Sequence, residues 1–93
     1  MNDTQVQIDM AREEAYWRAH FRNRPYVAAD GVYDDYGPAF SYGVDAYGRH
    51  DGRGFEEVEA DLSRDWDKFK GKSRLTWEHA KSAVRDAWDR LTD

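Results

Sequence analysis

The chain has 93 residues and a formal net charge of -5 at pH 7, a length that accommodates one small domain and no second core. Leu, Ile, Val and Phe together make only 14 residues, whereas Trp and Tyr contribute ten, so aromatic side chains must supply most of any core. The lack of cysteine excludes disulfides, a thiol nucleophile and cysteine-ligated zinc. We expect a cytoplasmic protein, since no apolar run has the length of a membrane span and the polar start lacks the pattern of a signal peptide.

The first helix is predicted over residues 3–22, where the composition favours helix and an apolar face includes Trp17 and Phe21. Pro25 disfavours helical backbone at the residue before it, so we expect the helix to end two or three residues before the proline. Acidic side chains interrupt the apolar face in its first half. Residues 1–13 are therefore expected to fray.

Residues 26–35 show no helical period and are predicted to form an ordered loop. Asp30 and Gly31 make a turn signal within this stretch, and a very short hairpin around them is the alternative. An isolated hairpin is marginal at best, which favours the loop.

A second helix is predicted over residues 38–49, although this stretch is rich in glycine. Phe40 and Val44 share one face, and a parallel row of small residues at helical spacing consists of Ala39, Gly43 and Ala46. Pro38 is tolerated in a first turn, where its missing amide has no intrahelical partner. Gly43 costs a helix roughly 1 kcal/mol relative to Ala, so we expect another helix to approach closely there, the alternative being a weak element.

The two C-terminal segments carry the clearest amphipathic patterns. In the third predicted helix, the apolar residues expected to be buried are Phe55, Val58, Leu62, Trp66 and Phe69. Gly71 supplies its C-terminal stop. In the fourth helix, capped by Ser73 or Thr76, the expected buried residues are Trp77, Ala80, Val84, Trp88 and Leu91.

These elements predict an all-α fold, a small three- or four-helix bundle in which residues 14–93 form one helical domain with an ordered Tyr- and Gly-rich loop. On the last helix, Arg85 with Asp89 and Asp86 with Arg90 stand at i,i+4 spacing. Each pair is expected to contribute roughly a few tenths of a kcal/mol at the surface. A core of this size gives modest stability, which dimerisation would raise.

No motif supports catalysis, and we expect no catalytic residue, no metal and no cofactor. The histidines do not pair locally as a zinc site requires; they are His20, His50 and His79. Residues 45–56 have the length of a calcium-binding loop, but Tyr, Arg and His occupy its third, fifth and sixth positions, where oxygen ligands and glycine belong. The glycine-rich stretch lacks the Lys-Ser/Thr ending of a phosphate loop, and no serine lies in a nucleophile elbow. We therefore expect a protein that is not an enzyme.

The Tyr-rich middle of the chain is the one feature that a plain helical bundle does not require. Its candidate partner-binding residues are Tyr26, Tyr33, Tyr36 and Tyr42, because Tyr offers large contact area at low entropic cost. The alternative is that these rings form the domain's own core. No segment carries a basic stripe, so we expect neither nucleic acid nor a membrane as the partner.

Four segments in order, YWRAHFRNRPYV, YDDYGPAFSYG, FEEVEADLSRDW and SRLTWEHAKSAVRDAW, resemble a family of small uncharacterised bacterial proteins. The resemblance covers nearly everything from residue 14 to residue 91. It implies a bacterial setting linked to stress, because the family's members are carried alongside small general-stress proteins. It implies no activity and assigns no catalytic role to any residue.

Two functions follow as hypotheses. The first is a non-enzymatic helical protein that acts by binding another protein or itself, as a homodimer, in a bacterial stress context. It is motivated by the surplus of Tyr and Trp over what two amphipathic helices need. The second is a partly disordered protective protein without a specific partner, motivated by the mean hydropathy of -1.05 and the low aliphatic content.

Overall fold

The computed structural model describes residues 9–50 and 53–92, which contain helices and no strand. The α-helices are α1 (Met10–His20), α2 (Tyr33–Arg49), α3 (Phe55–Phe69) and α4 (Trp77–Thr92), and a short 3-10 turn, Phe21–Asn23, follows α1. The four helices pack around one aromatic core, with α2 lying against both α1 and α4. This confirms the predicted all-α fold.

The N-terminal end of α1 is capped by Asp9, whose Oδ1 accepts a hydrogen bond from the backbone amide of Arg12 at 3.1 Å. The predicted fraying of residues 1–8, and the predicted helix start among them, lie outside the described residues. For residues 10–13 the prediction of fraying is wrong: they are helical, and Glu13 is buried. The acid that interrupts the apolar pattern is held by a distant cation on α4, which the helix's own sequence does not reveal.

The predicted end of the first helix is confirmed. Beyond the 3-10 turn, Arg24 is extended, with φ -84° and ψ 139°, the backbone that Pro25 favours at the residue before it. Residues 24–32 then form a loop without strands, so the alternative of a hairpin is not observed. Within this loop the amide of Gly31 donates to the carbonyl of Ala28 at 2.9 Å and closes a turn.

Helix α2 begins at Tyr33, five residues before the predicted start, and Pro38 lies inside it. The missing amide of Pro38 leaves the carbonyl of Asp34 without its intrahelical donor, which disfavours the longer helix locally. Two effects offset this cost. The acids of the first turn complement the helix macrodipole, and Asp35 is fixed there by an ion pair with Arg74 at 2.8 Å. Tertiary contact therefore overrides the local signal.

Small side chains let α2 and α4 approach closely. The small residues of these helices that are fully buried are Ala39 and Ala46 of α2 and Ala80, Ala83, Val84 and Ala87 of α4. A Cβ atom added to Gly43 would overlap the backbone carbonyl of Val84 and lie 2.9 Å from the Cβ of Ala87. This confirms the predicted close approach at Gly43 and shows that the partner is α4.

Aromatic rings fill the spaces on either side of that contact. Trp17 of α1 stacks on Phe40 with ring centroids 4.4 Å apart and an interplanar angle of 7°. Trp66 of α3 packs against Tyr42 at 5.5 Å and donates its indole N–H to the carbonyl of Leu75 at 2.9 Å. The rings thus supply the volume that Leu and Ile supply in most helical bundles.

Most of the predicted core is confirmed. The predicted residues that are buried are Trp17, Phe21, Phe40, Val44, Phe55, Val58, Leu62, Trp66, Ala80, Val84 and Trp88. Trp77 and Leu91 are partly buried and pack against them. The prediction is wrong for Phe69, which is 39% exposed: it is the last residue of α3, and it contacts Tyr42 at 4.7 Å while also lining an open groove.

The ends of α3 and α4 follow local signals. Gly71 adopts a positive φ of 58°, so the predicted C-terminal stop is confirmed. Of the two predicted caps, Thr76 directly precedes α4, and its carbonyl accepts from the amides of His79 and Ala80 at 3.1 and 2.8 Å. Ser73 is buried and has a different role, described below.

We predict that Gly43→Ala lowers the free energy of unfolding by about 1–3 kcal/mol, because the added methyl group meets the backbone of α4 and forces the helices apart. Urea unfolding followed by far-UV circular dichroism measures the change. Gly48→Ala is the matched control, since Gly48 lies exposed in the same helix; there we expect no loss and a gain of up to about 1 kcal/mol. Equal effects at both positions would contradict close packing.

Candidate binding surface

The structure divides the four candidate tyrosines between core and surface. Tyr36 is 6% exposed and Tyr42 is 1% exposed, so the prediction that they form a partner surface is wrong and the alternative of a core role holds for both. The hydroxyl of Tyr42 donates to the carbonyl of Leu62 at 2.8 Å, and burial raises the pKa of Tyr42 to about 12. Tyr26 and Tyr33 are partly buried.

Tyr26 ties the loop before α2 to the exposed face of α4. Its hydroxyl donates to Oδ2 of Asp86 at 2.6 Å, and the Nε of Arg24 donates to the same oxygen at 2.6 Å. Burial, with the hydrogen bond to Asp86, raises the pKa of Tyr26 well above its ordinary value. The predicted surface pair of Asp86 with Arg90 is therefore replaced by contacts to a distant part of the chain, whereas the predicted pair of Arg85 with Asp89 is present at 3.6 Å.

Tyr33 lies in an open groove of about 500 Å³ that runs over the exposed face of α2. We call it the α2 groove. Its lining residues are Glu14 and Arg18 from α1, Tyr33, Asp34, Gly37, Pro38 and Ser41 from α2, and Phe69 and Lys72 from the end of α3 and the turn after it. Three of them, Tyr33, Pro38 and Phe69, offer apolar surface. The groove is therefore an amphipathic surface, with apolar and charged side chains together, as protein interfaces have.

The α1 wall of the groove is held in place by an ion pair with α4. The Nε of Arg90 donates to Oε1 of Glu13 at 3.0 Å, and the Glu13 side chain is only 10% exposed. The guanidinium of Arg90 also lies over the ring of Tyr16, 3.6 Å from its centroid. These contacts fix α1 against the bundle and so fix the positions of Glu14 and Arg18 at the groove.

The opposite wall is held by Asp35 at the base of α2. Its carboxylate accepts from the backbone amide of Arg74 at 3.0 Å and from the Arg74 guanidinium at 2.8 Å, while Ser73 Oγ donates to the Asp35 carbonyl at 2.6 Å. The hydrogen bonds from Arg74 hold the pKa of Asp35 below its ordinary value although burial opposes them. The turn that carries Lys72 is thereby fastened to α2.

The charges around the groove fall into two groups. Arg18 pairs with Glu14 at 2.9 Å, one turn apart on α1, and its guanidinium lies 4.4 Å from the ring centroid of Tyr33. Asp34 and Lys72 form no ion pair with another residue in 9–50 or 53–92. Among the residues that the structure describes, one acid and one base without an ion-pair partner therefore lie on the same surface.

A second groove of about 390 Å³ lies beside Tyr26, between the loop and α4. Its cations are each paired with an acid, Arg24 with Asp86, Lys81 with Glu59 and Arg85 with Glu56, at 2.6, 3.2 and 2.7 Å. These charges are already matched within the chain, so the α2 groove is the stronger candidate for a binding surface.

No three His, Cys, Asp or Glu side chains are grouped to hold a metal ion within the described parts of the chain. Of the candidate histidines, His20 packs on Tyr16 with ring centroids 4.3 Å apart and His79 lies 3.2 Å from the hydroxyl of Thr76. Within the same residues, no helix combines the length and the apolar character needed to span a bilayer. No protein-family model, no curated protein and no solved structure matches this chain.

We predict that Glu13→Gln lowers the free energy of unfolding by about 1–2 kcal/mol, because it leaves Arg90 without its partly buried counter-charge. Urea unfolding followed by tryptophan fluorescence measures this change. The neighbouring substitution Glu14→Gln is the control: it removes an exposed i,i+4 pair and is expected to change stability by less than about 0.5 kcal/mol. If Glu13→Gln lowered the free energy of unfolding no more than Glu14→Gln does, the contact between Glu13 and Arg90 would not be what holds α1 against α4.

We predict that Asp35→Asn lowers the melting temperature by a few degrees at pH 7 and that this difference shrinks as the pH falls below the ordinary range of carboxyl pKa values. Because the pKa of Asp35 is depressed in the folded state, its stabilising contribution is complete above the ordinary carboxyl pKa and is lost as the pH falls through the folded-state value. Thermal unfolding between pH 3 and pH 8 tests this. Asp34→Asn removes the same charge from an exposed residue of the same first turn; it is the control and should lower the melting temperature less at pH 7. A constant difference at Asp35 would contradict the role of the charge.

Proposed function

We propose that this protein acts by non-covalent binding of a protein through the α2 groove and catalyses no reaction. The observation that carries the proposal is the exposure of Phe69, a large apolar side chain that is 39% exposed and lies in one groove with Tyr33 and Pro38. Exposed apolar surface costs free energy in water, which binding of a partner removes. The cytoplasmic location and the bacterial stress setting stay predictions from the sequence.

The way the groove is built supports binding. Its two walls are fixed by the Glu13–Arg90 and Asp35–Arg74 contacts, so little ordering entropy is lost when a partner docks on it. Its aromatic residues have few rotatable bonds, and aromatic side chains dominate the binding energy of many protein interfaces. A pre-formed amphipathic surface is therefore available at one end of the bundle.

The packed interior supports the binding hypothesis over the protective one. The stack of Trp17 on Phe40 at 4.4 Å and the hydrogen bond from Tyr42 to Leu62 at 2.8 Å are specific contacts of a folded core. A protective, partly disordered chain needs no fixed aromatic environment. Near-UV circular dichroism separates the two, because only rings in fixed environments give strong signals.

The test is capture of crosslinked partners by the tagged full chain in its own host, with and without osmotic stress. We expect one dominant protein, which is either another protein or the chain itself. We expect Phe69→Ser to reduce its recovery by about tenfold or more. Val32→Ser is the matched control, since Val32 is 41% exposed and lies outside the groove lining; it should leave recovery unchanged. Circular dichroism of both variants confirms that they fold.

Two results would overturn the proposal. Recovery of a broad, stress-dependent mixture that both variants retain would favour the protective function. Equal loss of the dominant protein in Phe69→Ser and Val32→Ser would show that binding does not use the α2 groove. Tyr36→Ala is unsuitable for this test, because Tyr36 is part of the core and its removal would destabilise the fold itself.

A further inference from the structure

We infer that the occupant of the α2 groove is a second copy of this chain, docked groove to groove about a two-fold axis. The inference rests on the proposed function, because it names the partner for the same surface. It is carried by the unmatched charges of Asp34 and Lys72, which have opposite sign and lie on one amphipathic surface.

A two-fold interface brings the same surface of two molecules together, so that surface must be complementary to itself. An acid and a base that both lack an ion-pair partner among residues 9–50 and 53–92 meet this requirement. Rotation about an axis between them places Lys72 of one copy opposite Asp34 of the other, and the reverse contact forms by symmetry. The apolar side chains of Tyr33, Pro38 and Phe69 line the same groove, so docking of the second copy on it also covers them.

The overall charge of the chain favours self-association through a surface without net charge. Both grooves meet this condition, but the cations of the second groove are already paired with acids of the same chain. With a net charge of -5, two copies repel each other in most orientations. The groove lining carries two acids, Glu14 and Asp34, and two bases, Arg18 and Lys72, so its own net charge is zero. On the exposed side of α3, by contrast, acids predominate. Two copies can therefore approach through the groove without the repulsion that the α3 face would impose.

The size of the groove sets the expected strength of association. Nine residues line it, whereas a standard interface uses roughly 20–30 residues and buries about 800 Å² on each partner. We therefore expect a weak dimer, with a dissociation constant on the order of 10–100 µM. Its stability should fall as salt rises, because the reciprocal charge contacts lie at the rim and are screened.

Sedimentation velocity of the full chain, from micromolar to millimolar concentration, tests the inference by charge reversal. Asp34→Lys and Lys72→Asp should each weaken self-association by about tenfold or more, because each creates two like-charge contacts across the axis. An equimolar mixture of the two single variants should form a heterodimer about as strong as the wild type. The double variant Asp34→Lys/Lys72→Asp should recover the homodimer. Asp30→Lys, an equal charge change outside the groove, is the control and should not weaken the dimer.

Rescue in the mixture is the decisive result, since a variant that merely misfolds cannot be restored by a second variant in another molecule. A wild-type chain that stays monomeric to millimolar concentration would overturn the inference, and so would a dimer that both single reversals leave intact. After either result the proposed function still holds if capture in the host recovers a protein other than this chain and if Phe69→Ser reduces its recovery. Loss of both the dimer and specific capture would overturn the proposed function as well.

Discussion

The close contact between α2 and α4 is the constraint on which the rest of the structure depends. Gly43 has no side chain because the backbone of α4 occupies the space that a Cβ would need, and alanines fill the contact above and below it. Bringing two helices this close leaves wide spaces on both sides, which large flat rings fill well. Trp17 with Phe40 fills one side, and Trp66 with Tyr42 fills the other. A chain poor in Leu and Ile thus builds a dense core from the smallest and the largest apolar residues, combined on two helices.

Polar contacts between distant residues hold the remaining pieces on this central pair. Glu13 with Arg90, Arg24 with Asp86 and Asp35 with Arg74 join residues that are 77, 62 and 39 positions apart. In each pair the carboxylate is the more enclosed partner, so losing the cation would leave an acid poorly solvated. These pairs therefore specify where α1, the loop before α2 and the turn before α4 dock, whatever their net contribution to stability. They also place both walls of the α2 groove.

The same arrangement explains why the Tyr-rich stretch serves two purposes. Tyr36 and Tyr42 point into the core, as their low exposure shows, whereas Tyr33 lies one helical turn from Tyr36 and lines the groove. Helix α2 packs against α1, α3 and α4 but still has one uncovered side. In α2 that side carries Pro38, and the end of α3 adds Phe69 to it. An apolar surface remains in the open because the bundle has no further helix to cover it among the described residues, and self-association is the proposed means of burying it.

Local pattern determined much of this protein without any coordinates. Four features were predictable because each depends on periodicity or backbone sterics within a few residues. They are the amphipathic stripes of α3 and α4, the stop at Gly71, the break before Pro25 and the close approach at Gly43. Only the tertiary structure decided that α2 starts at Tyr33 and that Phe69 is exposed. It also decided that Asp86 pairs with Arg24, and Arg90 with Glu13, in place of the ion pair between Asp86 and Arg90. These outcomes depend on residues up to 77 positions away in the sequence. An i,i+4 spacing indicates that two charges of one helix can form an ion pair, but it does not indicate whether a residue from another part of the chain lies closer.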